Sequence, residues 1–148
     1  MFDCCEKDEH AIAYAKDILG EYVSNVRFVR ENVVRLALKK NIQKTINLRY
    51  DLIYSMGLFD YLDHRIAVGL VANLKKLLKR RGKMIIANVR EKYQNPSVYF
   101  LEWVGDWDLI YRTEEEFKQV FLDAGFDKSQ LELQSEQQGV IQYILASA

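Results

Sequence analysis

The sequence predicts an α/β domain with a mostly parallel sheet, helices on both faces and a C-terminal antiparallel hairpin. Three observations predict it. Short apolar segments alternate with amphipathic stretches of helical period along most of the 148 residues, as in successive βα units. Met84-Ile85-Ile86-Ala87 is a continuous apolar run, which suits a strand buried on both faces. The last two apolar segments are separated only by the link from Gln134 to Gly139, which reads as a hairpin connection.

Taken in order, Phe2 to Glu6 reads as a short strand. Asp8 is placed to cap a helix whose apolar stripe is Ala11, Ile12, Ala15, Ile18 and Leu19, and Gly20 stands where a helix-ending glycine belongs. Val26 to Arg30 is a second strand, and Val33 to Asn47 reads as a short helix and a loop. Asp51 to Ser55 is a third strand. Asp63 can cap a long helix with its stripe at Ile66, Leu70, Val71, Leu74, Leu77 and Leu78, ending in a basic turn before Gly82. Lys83 to Val89 is the fourth strand. Thr113 and Glu116 make a capping box for a helix that buries Phe117, Val120, Phe121 and Ala124 and closes at Gly125. Leu131 and Leu133, then Val140 to Ala146, form the hairpin. The whole of 1–148 reads as one domain.

Composition narrows the function. Lys+Arg and Asp+Glu each number 21, so the formal charge is zero and nothing steers the chain toward nucleic acid. No apolar run reaches membrane-spanning length, and no charged segment followed by an apolar stretch opens the chain as a signal peptide would. Cys4 and Cys5 are adjacent, cannot pair comfortably with each other, and have no zinc-type spacing; no metal is expected. They read as small core residues in a reducing, cytoplasmic setting.

In open α/β sheets ligands bind beyond the carboxyl ends of the strands. After the first strand stands Glu6-Lys7-Asp8, where a carboxylate can accept from both hydroxyls of a ribose. After the second stands Glu31-Asn32-Val33, with an amide for an adenine edge and a backbone N–H beside it. After the third stands Ser55-Met56-Gly57, where a glycine admits either a close ligand or simply a tight turn.

These blocks, followed by Leu77 to Ile86, resemble in order and spacing the successive motifs of class I S-adenosylmethionine-dependent methyltransferases, a Rossmann-like family. The segment Asn95-Pro96-Ser97, Glu102-Trp103, Asp106-Trp107 and Leu109 to Thr113 resembles bacterial methyltransferases of the 3-hydroxypalmitic acid methyl ester type. The resemblance implies S-adenosylmethionine as cofactor. It implies that Glu6 binds its ribose, that Asn32 and Val33 meet its adenine, and that Ser55, Met56 and Gly57 lie beside its methionine portion. It implies methyl transfer to a small-molecule acceptor, such as the carboxylate of a hydroxy fatty acid, without a dedicated base; no catalytic residue is identified. Asn32 stands where the family usually has Asp, and Arg80-Arg81-Gly82 replaces a common Pro-Gly-Gly turn.

The resemblance also implies a strand and a Gly-x-Gly loop ahead of Phe2, which this sequence does not contain. That strand is central in the family, between the first and third strands here. Three outcomes are open: these strands close up, another segment fills the slot, or the domain is unstable alone. The chain is then an incomplete methyltransferase domain with impaired activity, or a non-catalytic interaction domain that pairs into a homodimer through its exposed strand edges.

On the acceptor side the candidates are Tyr61, His64, Trp103, Trp107 and Arg112. Each has a plainer alternative. Tyr61 and His64 serve the structure or the mouth of the site. The aromatic cluster from Tyr99 to Tyr111 is core or a lid over an acyl chain. Arg112 makes a surface ion pair or grips a substrate carboxylate. The basic run Lys75, Lys76, Lys79, Arg80, Arg81 and Lys83 reads as a solvated helix end.

Overall fold

The computed structural model describes residues 1–148. The strands are β1 (Phe2–Glu6), β2 (Val26–Arg30), β3 (Tyr50–Ser55), β4 (Leu78–Val89), β5 (Leu131–Ser135) and β6 (Ile141–Ser147). The helices are α1 (Glu9–Leu19), α2 (Val33–Leu38), α3 (His64–Lys75) and α4 (Glu114–Asp123). Their ends obey local chemistry. Asp8 accepts from the His10 and Ala11 N–H groups at the start of α1. Gly20 and Gly125 take positive φ after α1 and α4, and both hydrogen bonds of the Thr113–Glu116 capping box form.

Two expectations are corrected by the structure. The helix capped by Asp63 ends at Lys75, and β4 already begins at Leu78. Leu77 and Leu78 are buried, but in the approach to a strand and not in a helical stripe. The reason is pairing: Leu78 faces Tyr50, and the next partners are Leu52 and Lys83, so Lys79 to Gly82 bulge out of the ladder. Arg81 sits at φ 68° within this bulge. The basic residues 79–83 therefore decorate a bulged strand, while Lys75 turns inward over the Phe126 ring. Second, Cys4 and Cys5 are exposed, not core.

The strands form two separate sheets, β1-β2 and β3-β4-β6-β5. β1 and β2 are parallel, as are β3 and β4. β6 runs antiparallel to both β4 and β5, and with β5 it makes the expected hairpin. The core lies between α3, α4, α2 and the larger sheet, with Phe59, Phe117, Phe121, Met84, Ile86 and Ile144 fully buried. By contrast, no residue among the first 35 is buried. The β1–α1–β2 unit is thus a lobe beside the core. It has an apolar helix stripe and no apolar layer to bury it against.

Between β1 and β3 the sheet is interrupted. β1 and β3 do not pair with each other, and no strand of the chain pairs with both. What spans it is a polar bridge: the Tyr50 hydroxyl donates to Asp3 Oδ2 at 2.5 Å. Arg27 Nε also donates to Asp3, at 2.9 Å, and the guanidinium grips the same carboxylate with both arms. Burial pushes the Asp3 carboxyl up, but the hydrogen bonds from Arg27 and Tyr50 outweigh it and hold it below its ordinary value. Burial, then the hydrogen bond to Asp3, push the Tyr50 hydroxyl up to about 12.

The bridge therefore has a pH window. Asp3, with its folded value depressed, contributes above its ordinary value of 3.8 and loses that contribution as the pH falls through the lower folded value. Tyr50, with its folded value raised, contributes below 10 and loses that contribution as the pH rises through about 12. Amide exchange in β1, corrected for its intrinsic rate, is expected to show constant protection from about pH 4 to about pH 10 and to lose it at both ends. Tyr50→Phe is expected to speed β1 exchange several-fold at neutral pH. Unchanged protection in that variant would show that the bridge does not hold the lobe.

Candidate functional site

The strand order reverses between β1 and β3. The Tyr50–Asp3 hydrogen bond sets β1 beside β3, and from there the chain goes to β2 in one sheet and to β4 in the other. Right-handed crossovers then put α1 and α3 on opposite faces. In open α/β sheets ligands bind beyond the carboxyl ends of the strands where the strand order reverses, which directs attention to the turns after β1 and β3.

Glu6 ends β1 and is half-buried. Its Oε1 accepts from the Lys7 and Asp8 N–H groups at 2.7 and 2.9 Å, which turns the carboxylate back over its own loop. Oε2 has no protein partner and keeps its acceptor capacity. The Glu31 N–H donates to the Glu6 carbonyl at 3.2 Å, so the turns after β1 and β2 meet on one rim. Asn32 is the cap of α2; its Oδ1 accepts from Val34 and Arg35 N–H at 2.9 and 3.3 Å. The oxygen expected to accept from an adenine amine is thus already committed to the helix, and the side-chain NH₂ is the free end. Val33 is the first helical residue, so its N–H has no intrahelical acceptor and points outward.

Ser55 ends β3, and Met56 and Gly57 follow it. Gly57 has φ 68°, and a Cβ added there would meet nothing within 4 Å. The glycine answers a left-handed turn, not close packing within the chain. Met56 is 60% exposed. No hydrogen bond joins this turn to Glu6 or Asn32.

The acceptor-side candidates separate. Tyr61 is 54% exposed beside the Ser55–Gly57 turn. The His64 imidazole is paired with Asp123 on α4 at 2.9 Å and serves to join two helices. The aromatic segment is not core: Trp103 is 80% and Trp107 52% exposed, with Tyr99 edge-on to Trp103 at 5.6 Å. It leaves the carboxyl end of β4 and returns where the Ile110 N–H donates to the Asp60 carbonyl at 2.7 Å. That return fixes it to the loop after β3.

Arg112 corrects both of its expected roles. It is only 4% exposed, and its guanidinium donates to the carbonyls of Phe59 and Leu62 and to Asn88 Oδ1. No substrate reaches it and no surface ion pair forms. Beside it, Asp60 Oδ1 accepts from the Val89 N–H at 2.6 Å, and burial pushes the Asp60 carboxyl up despite that bond and the nearby Arg112 charge. Gln142 Nε2 donates to the Arg112 carbonyl at 2.6 Å. Sequence reasoning missed this clamp, because nothing in the residue order says that Asp60, Asn88, Arg112 and Gln142 converge. No group of three or more His, Cys, Asp or Glu is placed to hold a metal ion.

No protein-family model matches the chain, and no curated protein matches its sequence. Solved structures do match its shape. The pyocyanin biosynthetic protein PhzM superposes with a TM-score of 0.73 at 15% identity, over 98% of this chain and 42% of its own. An O-methyltransferase family protein from Burkholderia thailandensis gives 0.65 at 15%, over 99% and 42%. The magnesium protoporphyrin IX methyltransferase of Synechocystis, solved with SAH bound, gives 0.64 at 14%, over 98% and 62%. The fold is that of the class I methyltransferases. At these identities the likeness establishes the fold alone, and the chain spans about half the length of such proteins. No helix is long and apolar enough to cross a membrane.

Proposed function

We propose that residues 1–148 are a single, incomplete methyltransferase domain whose rim binds the nucleoside of S-adenosylmethionine, and that the chain by itself is impaired in methyl transfer. The observation that carries this reading is the meeting of the Glu6 and Glu31–Asn32–Val33 turns through the Glu31 N–H to Glu6 carbonyl bond, at the switch point of the sheet. The residues fit the group. Glu6 Oε2 is free to accept from ribose hydroxyls, and the Val33 N–H is free to donate to an adenine nitrogen. The Asn32 NH₂ can donate to a second ring nitrogen, while its oxygen holds α2 in place. When bound, the cofactor supplies an electrophilic methyl group on a sulfonium.

The chain's contribution to transfer is positional. Ser55, Met56 and Gly57 flank the methionine end, and Tyr61, Trp103 and Trp107 offer an apolar, aromatic approach for a small-molecule acceptor. A carboxylate such as that of a hydroxy fatty acid suits this reading, because it needs no base. Arg112 is not its anchor. The reading needs no nucleic acid and no membrane span, and it places the protein in the cytoplasm of a bacterium. The break between the β1-β2 and β3-β4-β6-β5 sheets supports the reading of impaired activity, because the Glu6 turn and the Ser55–Gly57 turn belong to different sheets. The single-sided pairing of β1 and β3 favours a second reading, a non-catalytic interaction domain that pairs with a second copy through its strand edges.

Calorimetry with S-adenosylhomocysteine separates the two. Binding is expected to weaken at least tenfold in Glu6→Gln, about 1.4 kcal/mol. Asn32→Asp keeps an oxygen for the α2 cap and is expected to bind within a few-fold of the parent, whereas Asn32→Ala frays the helix by about 1 kcal/mol. Equal binding by Glu6→Gln and the parent, or no heat at millimolar ligand, would favour the second reading.

A further inference from the structure

We propose that the chain associates with copies of itself head to tail, the aromatic ridge that follows β4 in one copy seating on the basic bulge of β4 in the next. The inference does not depend on the cofactor reading.

The ridge is an exposed apolar surface held in a fixed shape. Phe100–Val104 is a π-helical turn, in which side chains four apart are neighbours. Tyr99 lies edge-on to Trp103, and Phe100 and Val104 make the next row. The base is tied down. Asn95 Nδ2 donates to the Val140 carbonyl, Val98 is buried, and the Trp107 N–H donates to the Leu101 carbonyl. By their exposure, Tyr99, Phe100 and Trp103 alone offer roughly 400 Å² of ring surface to solvent. That is about half of the ~800 Å² that each partner gives to a stable contact, so a charged rim has to supply the rest.

Charge selects the partner. Between Tyr93 and Tyr111 there is no lysine or arginine, while Glu102, Asp106 and Asp108 stand on or beside the ridge. Lys92 pairs with Glu102, but Asp106 and Asp108 are exposed and have no ion pair. A surface of this sign is repelled by an anionic lipid and takes a cationic partner. The chain carries such a surface at the bulge. Lys79 pairs there with Asp51, but Arg80 and Arg81 are exposed without an acidic partner. Arg49 is held beside them through the Lys76 and Leu78 carbonyls. The terminal carboxylate, brought near by the bond from the Ala148 N–H to the Gly82 carbonyl, is the other anion there.

The two surfaces do not meet within one copy. The extended run from Lys83 to Val89 lies between them on β4, about 20 Å. Charges that far apart are screened, since the Debye length is about 8 Å at physiological salt. Their pairing is therefore between copies. Because the two patches differ, the contact is heterologous and repeats from copy to copy. Arginine suits it: the planar guanidinium stacks on an aromatic ring and reaches a carboxylate with two N–H groups. The contact covers Trp103, and so narrows the acceptor approach proposed above to Tyr61 and Trp107.

Sedimentation velocity of the full chain tests this. Arg80→Gln with Arg81→Gln removes the bulge cations and keeps the ridge. Asp106→Asn with Asp108→Asn does the reverse, and asparagine tolerates the left-handed φ of 49° at Asp106. At about 50 mM salt the parent is expected to form species larger than a dimer as its concentration rises, and to return to monomer at about 0.5 M salt. Each variant alone is expected to keep the parent's Tm and to associate at least tenfold more weakly. A one-to-one mixture of the two is expected to form a heterodimer and nothing larger, because one intact patch of each kind remains. A parent that stays monomeric at about 0.5 mM protein, variants that associate as the parent does, or a mixture no different from its components would overturn the proposal. No nucleoside is present in this measurement, so its failure is distinct from failure of the cofactor reading.

Discussion

Replacing Arg112 with methionine is expected to lower the unfolding free energy by about 3–5 kcal/mol, and replacing it with lysine to recover little of that loss. The guanidinium is 4% exposed and serves three acceptors on two elements: the Phe59 and Leu62 carbonyls in the loop after β3, and Asn88 on β4. Truncation leaves those acceptors dry and unpaired. It also leaves the buried Asp60 carboxyl without its neighbouring positive charge, so that group is driven further toward the neutral form. Lysine keeps the charge but lacks the planar fork that reaches three oxygens at once. Urea unfolding followed by near-ultraviolet circular dichroism measures the effect. A loss below about 1 kcal/mol would mean that water reaches these groups and that the clamp is not closed. The clamp also sets the loop bearing Tyr61, so the same variant should disturb the acceptor side of the rim before it disturbs Glu6.

The second large effect concerns the lobe. Backbone amides in residues 1–30 are expected to exchange about 100- to 1000-fold faster than those of α3, β4 and α4. A two-stranded sheet with one helix is marginal by itself. Here it has no buried side chain and is tied to the core by the Tyr50–Asp3 bridge, the Lys39–Glu31 pair and α2. The third tie is the firmest, because Asn73 Nδ2 donates to the carbonyls of Leu36, Ala37 and Lys39 and so fixes the end of α2 on α3. Deleting residues 1–30 is therefore expected to leave a folded core whose Tm moves by less than about 5 °C. Loss of cooperative unfolding in that deletion, or uniform exchange across the intact chain, would show that the lobe and core fold as one unit.

Most of the architecture was legible because it is written locally. Asp8, Gly20, Thr113, Glu116 and Gly125 act within a turn of their own position, and the structure uses each as expected. The apolar run at Met84 and the short link after Gln134 placed β4 and the hairpin for the same reason. The expectations that failed depended on partners distant in sequence. Leu77 and Leu78 keep a helical spacing, but pairing with Tyr50 draws Leu78 into a strand. Cys4 and Cys5 would be core in a continuous sheet and are exposed where the sheet is interrupted. The aromatic run from Tyr99 to Trp107 has core composition, yet Trp103 and Trp107 face solvent. Of the candidate site, the rim order of Glu6, Asn32 and Gly57 was readable from the turn at the carboxyl end of each strand. That Asn32 oxygen caps α2, and that Arg112 is sealed inside, was not, because both depend on geometry that residue order does not carry.

The central claim is that the turns after β1 and β2 hold the nucleoside of the cofactor, with the turn after β3 beside its methionine portion. A nuclear magnetic resonance titration of the isotope-labelled chain with S-adenosylhomocysteine tests it most directly. The account predicts that the largest amide shifts fall at Lys7, Asp8, Asn32 and Val33, with smaller ones from Ser55 to Gly57. Shifts centred elsewhere, or a spectrum unmoved at millimolar ligand, would contradict it.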